Sequence, residues 1–186
     1  MTITRCPWGD TADTLMRDYH DNQWGKPCFD ERELFEMLIL EGMQAGLSWS
    51  CILHKRENCR AAFDDFEASI VASYDECKVA ALLQDSGIIR NKLKINAAIT
   101  NAQAVLRLGS LRDFIWGYVD GKQIVNNWKL QGEMPSTTPL SDTISKDMKK
   151  RGFKFVGSTI VYSYLQAIGV VNDHIESCAF KCDHSK

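Results

Sequence analysis

The chain has 186 residues, is 45% hydrophobic and carries five Trp and eight Phe, enough for one domain with a sizeable core. Its formal net charge of −2 does not mark it as a general polyanion binder, which leaves only a local basic patch for such a role. No apolar run is long enough to span a bilayer, and the N-terminal MTITRCPWGD has no signal-peptide core, so a soluble cytoplasmic protein is expected.

In chain order, FDERELFEML predicts a helix with Asp30 as N-cap and Glu33 completing a capping box. SYDECKVAALLQDSG repeats the signal with Ser73 and Glu76 and ends at Gly87. NKLKINAAITNAQAVLRLG is a long helical pattern stopping at Gly109. SDTISKDMKKRG predicts a helix from Ser141 to Gly152, and STIVYSYLQAIG another that stops at Gly169. Strand-like alternation is confined to GKQIVNNWKL, and residues 119–139 read as a long irregular connection. The fold class is all-α.

The first candidate chemistry lies on the helix after Asp30. Leu34 and Leu38 form an apolar stripe, and Glu41 is next on it. Two readings stay open. Glu41 turns to solvent at a fraying helix end, or it sits as a carboxylate in a pocket walled by Trp8, Tyr19, Trp24 and Trp49. An aromatic pocket with a carboxylate favours a cationic ligand.

KKRGFKFVGST joins two helices through a short loop with Gly152 and Gly157 near its ends. Gly157, Ser158 and Thr159 open the second helix, whose free amides suit a phosphate. Lys149, Lys150, Arg151 and Lys154 surround them. This is a helix-hairpin-helix over about 141–168, a device for gripping a nucleic-acid backbone. A tight turn with a solvated basic face is the plain alternative.

The third feature is VVNDHIESC, which spaces His174 and Cys178 four apart, on one face of a helix. Cys6 and His20 are candidate partners near the other end. A Cys2His2 set fills a tetrahedral shell, so its metal is structural. Cys182 and His184 are alternatives. The odd total of seven cysteines reads as reduced thiols, with Cys51, Cys59 and Cys77 as ordinary residues.

Taken together, YHDNQWG, LFEMLILEGMQAGLSW, LHKREN, GIIRNKLKI, KKRGFKFVG and GVVNDHIESC resemble the DNA-3-methyladenine glycosylase I family. They occur in order over nearly the whole chain. The resemblance implies a single glycosylase unit over residues 1–186 with the helix-hairpin-helix DNA glycosylase architecture. It implies base-excision repair by hydrolysis of the N-glycosidic bond of 3-methyladenine in alkylated double-stranded DNA. One structural zinc per chain is implied, held by Cys6, His20, His174 and Cys178 and tying segments of about 1–24 and 170–186 together. The family's base-pocket residues fall on Glu41, Tyr19 and Trp49, with Glu41 the catalytic candidate, and its DNA-wedging turn on Gly46 and Leu47.

Two positions depart from the family pattern. Met16 stands where some members carry an aromatic, and Met43 where Gln is expected. Asp173 is the nearest match to the Asp that supports a sugar cation in related glycosylases. It adjoins His174, and the resemblance implies that this family lacks that Asp, so it is set aside as catalyst. No Lys stands out as a Schiff-base nucleophile, so monofunctional chemistry in a monomer is expected. The rival readings are a non-catalytic helix-hairpin-helix module with structural zinc and a zinc hydrolase with an open metal position.

Overall fold

Helix α1 (Thr14–Asn22) starts where the Asp13 carboxylate accepts hydrogen bonds from the amides of Leu15 and Met16. The computed structural model describes residues 3–181. Asp30 caps α2 (Glu31–Gln44) as expected, accepting from the Arg32 and Glu33 amides. α3 (Trp49–Ala62) begins at an N-capping Ser48, and the short α4 (Ala68–Val71) follows. α5 (Glu76–Gln84) is capped by Asp75, not Ser73, whose hydroxyl instead donates to the Ile70 carbonyl. It ends at Asp85, before Gly87. α6 (Lys92–Leu108) stops at Gly109, whose φ of +89° is open to glycine.

After α7 (Leu111–Trp116), α8 (Pro139–Lys150) starts two residues earlier than expected. Thr138 is its N-cap and Pro139 its first residue, while Ser141 completes a reciprocal capping pair with Thr138. α9 (Ser158–Ala167) then runs back against α8. The loop between them uses the left-handed region at Gly152 and Phe155, whereas Gly157 is extended at φ −63°.

α2 is buried along its whole length from Leu34 to Met43 and packs against α3, α6, α7 and α9. A helix enclosed on all sides carries few charges unless each has a purpose. Its first buried carboxylate, Glu36, has one: Arg56 Nε and Arg60 Nε donate to it at 2.6 and 2.9 Å. Its second, Glu41, belongs to the site below.

The weak strand signal is real but short. β1 (Ile124–Val125) pairs in parallel with β2 (Val171–Asn172), pulling the long connection onto the chain's end. The segment after β2 is not helical. His174 and Cys178 approach through a turn closed by the Cys178 amide on the Ile175 carbonyl, 2.9 Å. The Ala179 amide donates to the Thr4 carbonyl at 2.9 Å, joining the two ends. Among the described residues no helix is long and apolar enough to cross a membrane.

Candidate active site and metal cluster

α1, α2, α3 and α9 surround a cavity of about 310 Å³. Trp8, Tyr19, Trp24 and Trp49 form its aromatic lining, with Glu41 and Gln44 contributed by α2. The rings hold one another: Trp8 meets Trp24 edge-on at 5.0 Å, and Tyr19 meets Trp49 at 5.2 Å. Interlocked rings give rigid walls rather than adaptable ones.

Glu41 settles one of the open questions. It is only 4% exposed, and no cation pairs with it. Burial pushes its carboxyl up to about 8. Its Oε2 has no hydrogen-bond partner, and neither has the buried indole Nε1 of Trp49 on the same cavity. A buried acceptor and a buried donor left without partners cost about 1–3 kcal/mol each. The contrast with Glu36 is informative: on one helix, one carboxylate is neutralised by two guanidiniums and the other has no cation beside it. Tyr19 is pushed well above its ordinary value by burial and then by the Glu41 charge, so its hydroxyl stays protonated.

A second hollow of about 190 Å³ shares Glu41, Gln44 and Ser163 with the first and runs past Gly46, Leu47 and Thr159. The structure therefore brings the Gly46–Leu47 turn and the start of α9 to the mouth of the same site. Leu47 is 41% exposed at the tip of that turn. No side chain caps α9, and Ser158 spends its hydroxyl on Ser141, 2.8 Å away. Lys154 is exposed on the adjoining loop.

Sequence reasoning missed Met134, Ser163 and Gln166 on the cavity lining. Ser163 and Gln166 are one turn apart on an otherwise apolar helix, which is a legible signal. Met134 comes from the irregular connection and has none. Asp173, set aside above, is fully buried and accepts hydrogen bonds from Asn126, Trp128, Tyr162 and Gln166. It lies behind Gln166 and does not line the cavity.

Behind the aromatic wall, Cys6, His20, His174 and Cys178 bring their ligand atoms within 4.8 Å of one another, all buried. His174 Nδ1 is 3.5 Å from Cys6 Sγ and 3.4 Å from Cys178 Sγ, and His20 Nε2 is 3.7 Å from Cys178 Sγ. The outer nitrogens are also held. His20 Nδ1 lies 2.8 Å from Asp21 Oδ1, itself gripped by Arg5, and His174 Nε2 lies 3.1 Å from the Trp24 carbonyl. Such partners orient imidazoles for a metal. The Cys178 thiol is driven towards thiolate, first by its hydrogen bond with Cys6 and then by those with His174 and His20. The four side chains can hold a metal ion. Cys182 and His184, the alternative ligands, lie outside the described residues.

A family model for methyladenine glycosylases matches residues 8–182. The chain belongs to that family. As a methyladenine glycosylase family member it is 49% identical over 180 residues to DNA-3-methyladenine glycosylase 1 of Escherichia coli (strain K12), covering 95% of this chain and 96% of that one. It is 43% identical over 183 residues to the DNA-3-methyladenine glycosylase of Haemophilus influenzae (strain ATCC 51907 / DSM 11121 / KW20 / Rd), covering 96% and 98%. A solved 3-methyladenine DNA glycosylase I variant in complex with 3-methyladenine superposes with a TM-score of 0.93, at 35% identity over 97% of this chain and 98% of that one. The mostly helical fold is thus that of a family member, and the family is one of glycosylases.

Proposed function

We propose that this chain is a monofunctional base-excision-repair glycosylase that hydrolyses the N-glycosidic bond of 3-methyladenine in alkylated double-stranded DNA. The observation that carries the reading is Glu41, a buried carboxyl without a partner inside an aromatic cavity. A purine methylated at N3 is a cation while it is attached to the sugar. Aromatic faces attract it, and its charge draws Glu41 into the ionised form. An unmodified, neutral adenine brings no such charge and leaves the desolvated carboxyl unrewarded.

The lesion reaches this site by rotating out of the stack. Leu47 enters the gap, and the Gly46 turn lets it project. The uncapped start of α9 at Gly157, Ser158 and Thr159, with Lys154 beside it, grips the phosphate backbone in a helix-hairpin-helix. Tyr19 and Trp49, in contact with each other, form one face against which the base packs, Trp8 and Trp24 close the wall, and Glu41 accepts hydrogen bonds from the purine edge.

The bond to C1′ then breaks with its electron pair going to the cationic ring, which leaves as a neutral base. Water supplies hydroxide to C1′ and releases a proton. The leaving group is already activated, so binding the charged base carries most of the selectivity. Among the described residues no lysine lines the cavity, which supports hydrolysis over Schiff-base chemistry.

The cluster fits one structural zinc. A tetrahedron with Zn–S of about 2.3 Å and Zn–N of about 2.0–2.1 Å has S···N edges of about 3.5 Å. The 3.4, 3.5 and 3.7 Å separations match those edges. Four protein ligands close the shell, which disfavours a zinc hydrolase. The unpartnered Glu41 cavity disfavours a mere binding module, which has no use for it. The reading is of a monomer acting on DNA in the cytoplasm.

The test is incubation of the purified protein with methylated duplex DNA and chromatography of the released bases. Release of 3-methyladenine with 7-methylguanine left in place is the expected result. A folded, zinc-loaded sample that releases nothing would reduce the chain to a DNA-binding module.

A further inference from the structure

α6 touches neither the cavity nor the exposed start of α9, yet two of its side chains fix both DNA-facing turns. The Lys94 ammonium donates to the carbonyls of Met43 and Ala45 at 2.8 and 2.7 Å. These carbonyls close α2 immediately before Gly46 and Leu47. Seven residues on, Asn101 clamps the hairpin loop: its amide donates to the Lys154 carbonyl at 3.0 Å, and the Lys154 amide donates back at 2.7 Å. Phe155, next in the chain, sits at a φ of +53°, a conformation a bulky residue holds only when its surroundings impose it.

Residues seven apart on a helix share a face and stand about 10 Å apart along it. Between the two clamps that face is small, with Ala97 and Ala98 both buried. They allow α2 and the hairpin to close in, and a side chain added at Gly42 would meet the Phe155 Cβ at 3.3 Å. Lys94 is itself 8% exposed, and its partners are carbonyls rather than a carboxylate. A buried ammonium is an expensive way to end a helix if stability were its only purpose.

We infer that α6 is a strut that sets the spacing between the Gly46–Leu47 wedge and the Lys154–Gly157 backbone grip, with Lys94 and Asn101 as its positioning residues. The inference rests on the glycosylase reading above. Extrusion of a base requires the wedge to enter the duplex while the backbone is held a fixed distance away. A wedge free to move relative to the grip gives no push. Single-stranded DNA offers its bases without a stack to break, so it has little need of the strut.

The experiment compares single-turnover excision from methylated duplex and from the same strand unpaired, with free 3-methyladenine affinity read from tryptophan fluorescence. Lys94→Met is expected to slow duplex excision tenfold or more. Single-strand excision and free-base affinity should stay within about twofold. In a Leu47→Gly background, adding Lys94→Met should cost no more than a further twofold, because the part it positions is gone. If Lys94→Met does not fold, Asn101→Asp carries the same comparison, keeping the acceptor for the Lys154 amide and losing the donor to its carbonyl. Equal losses on both substrates, or full additivity with Leu47→Gly, overturn the strut while the glycosylase stands. Absence of base release by the wild-type protein overturns the glycosylase and the strut with it.

Discussion

Tyr19 and His20 are consecutive on α1 and serve two chambers: Tyr19 lines the cavity and His20 joins the Cys/His cluster. The wall between them is shared. The Trp8 ring lines the cavity and meets the His20 ring edge-on at 4.9 Å, and the Trp24 carbonyl accepts from His174. The cluster is therefore the backing of the aromatic wall, not a remote staple.

Cys178→Ser should leave the protein with well under one zinc per chain and a lowered melting temperature. Metal-binding energy in such sites is folding energy. Each kcal/mol shifts Tm by about 2–4 °C at this size, so a loss of several kcal/mol predicts a drop of about 10 °C. Metal analysis with thermal denaturation checks it. A metal-free protein that melts where the wild type does would show that the site holds nothing.

Glu41→Gln gives a pH signature in stability as well as in binding. The Glu41 carboxyl is raised to about 8 in the fold from 4.5 unfolded. The fold therefore binds the extra proton, and its benefit is full below about 4.5 and lost as pH rises towards about 8. Glutamine does not titrate. The Tm of Glu41→Gln minus that of wild type should climb between pH 5 and pH 8 and level off above. In the same variant, preference for the cationic base over neutral adenine should fall further than affinity for DNA. A flat Tm difference would mean that Glu41 is solvated.

Asp173 should prove structural. Its carboxylate accepts four hydrogen bonds deep in the protein. Asp173→Asn turns an acceptor into a donor facing donors, so it should lower stability by about 1–3 kcal/mol. Excision at a temperature where the variant is folded should stay within about tenfold of wild type. A loss near the 10⁴-fold seen when an essential catalytic group is removed would make it the catalyst instead.

The hairpin can be tested without disturbing the fold. A Cβ added at Gly157 meets nothing within 4 Å, and the backbone there is in an ordinary conformation. Gly157→Ala should melt with the wild type but bind DNA about tenfold more weakly, because the methyl stands where a phosphate approaches. Lys154→Ala should reduce the slope of log K against log salt by about 1. Unchanged affinity in both, by titration at several salt concentrations, would place the DNA elsewhere.

Much of this was legible because its causes are local or strongly typed. Glu41 announces itself as a charge on an apolar stripe, and four Cys and His side chains near the two ends suggest one shell. Helix starts were legible in kind but not always in position: Asp75 caps α5 in place of Ser73, and α8 opens at Thr138 and Pro139, ahead of Ser141. The Lys94 and Asn101 clamps were invisible because their partners are backbone atoms, 49–53 residues distant, which no side-chain pattern encodes. The parallel β1–β2 pair was half visible for the same reason: Ile124–Val125 lies in the strand-like GKQIVNNWKL, while Val171–Asn172 is defined by its neighbour. His174 and Cys178 meet through a turn rather than a helix, so the four side chains do come together, but not by the helical spacing that the sequence suggests.

The joining of Thr4 to Ala179 and of Cys6 to Cys178 has a consequence for how the molecule comes into being. Trp8, Tyr19 and Trp24 are made well before His174 and Cys178, which brace them from behind. Nascent protein cannot carry a finished cavity, so a truncated product stalled before residue 174 is expected to lack the pocket altogether.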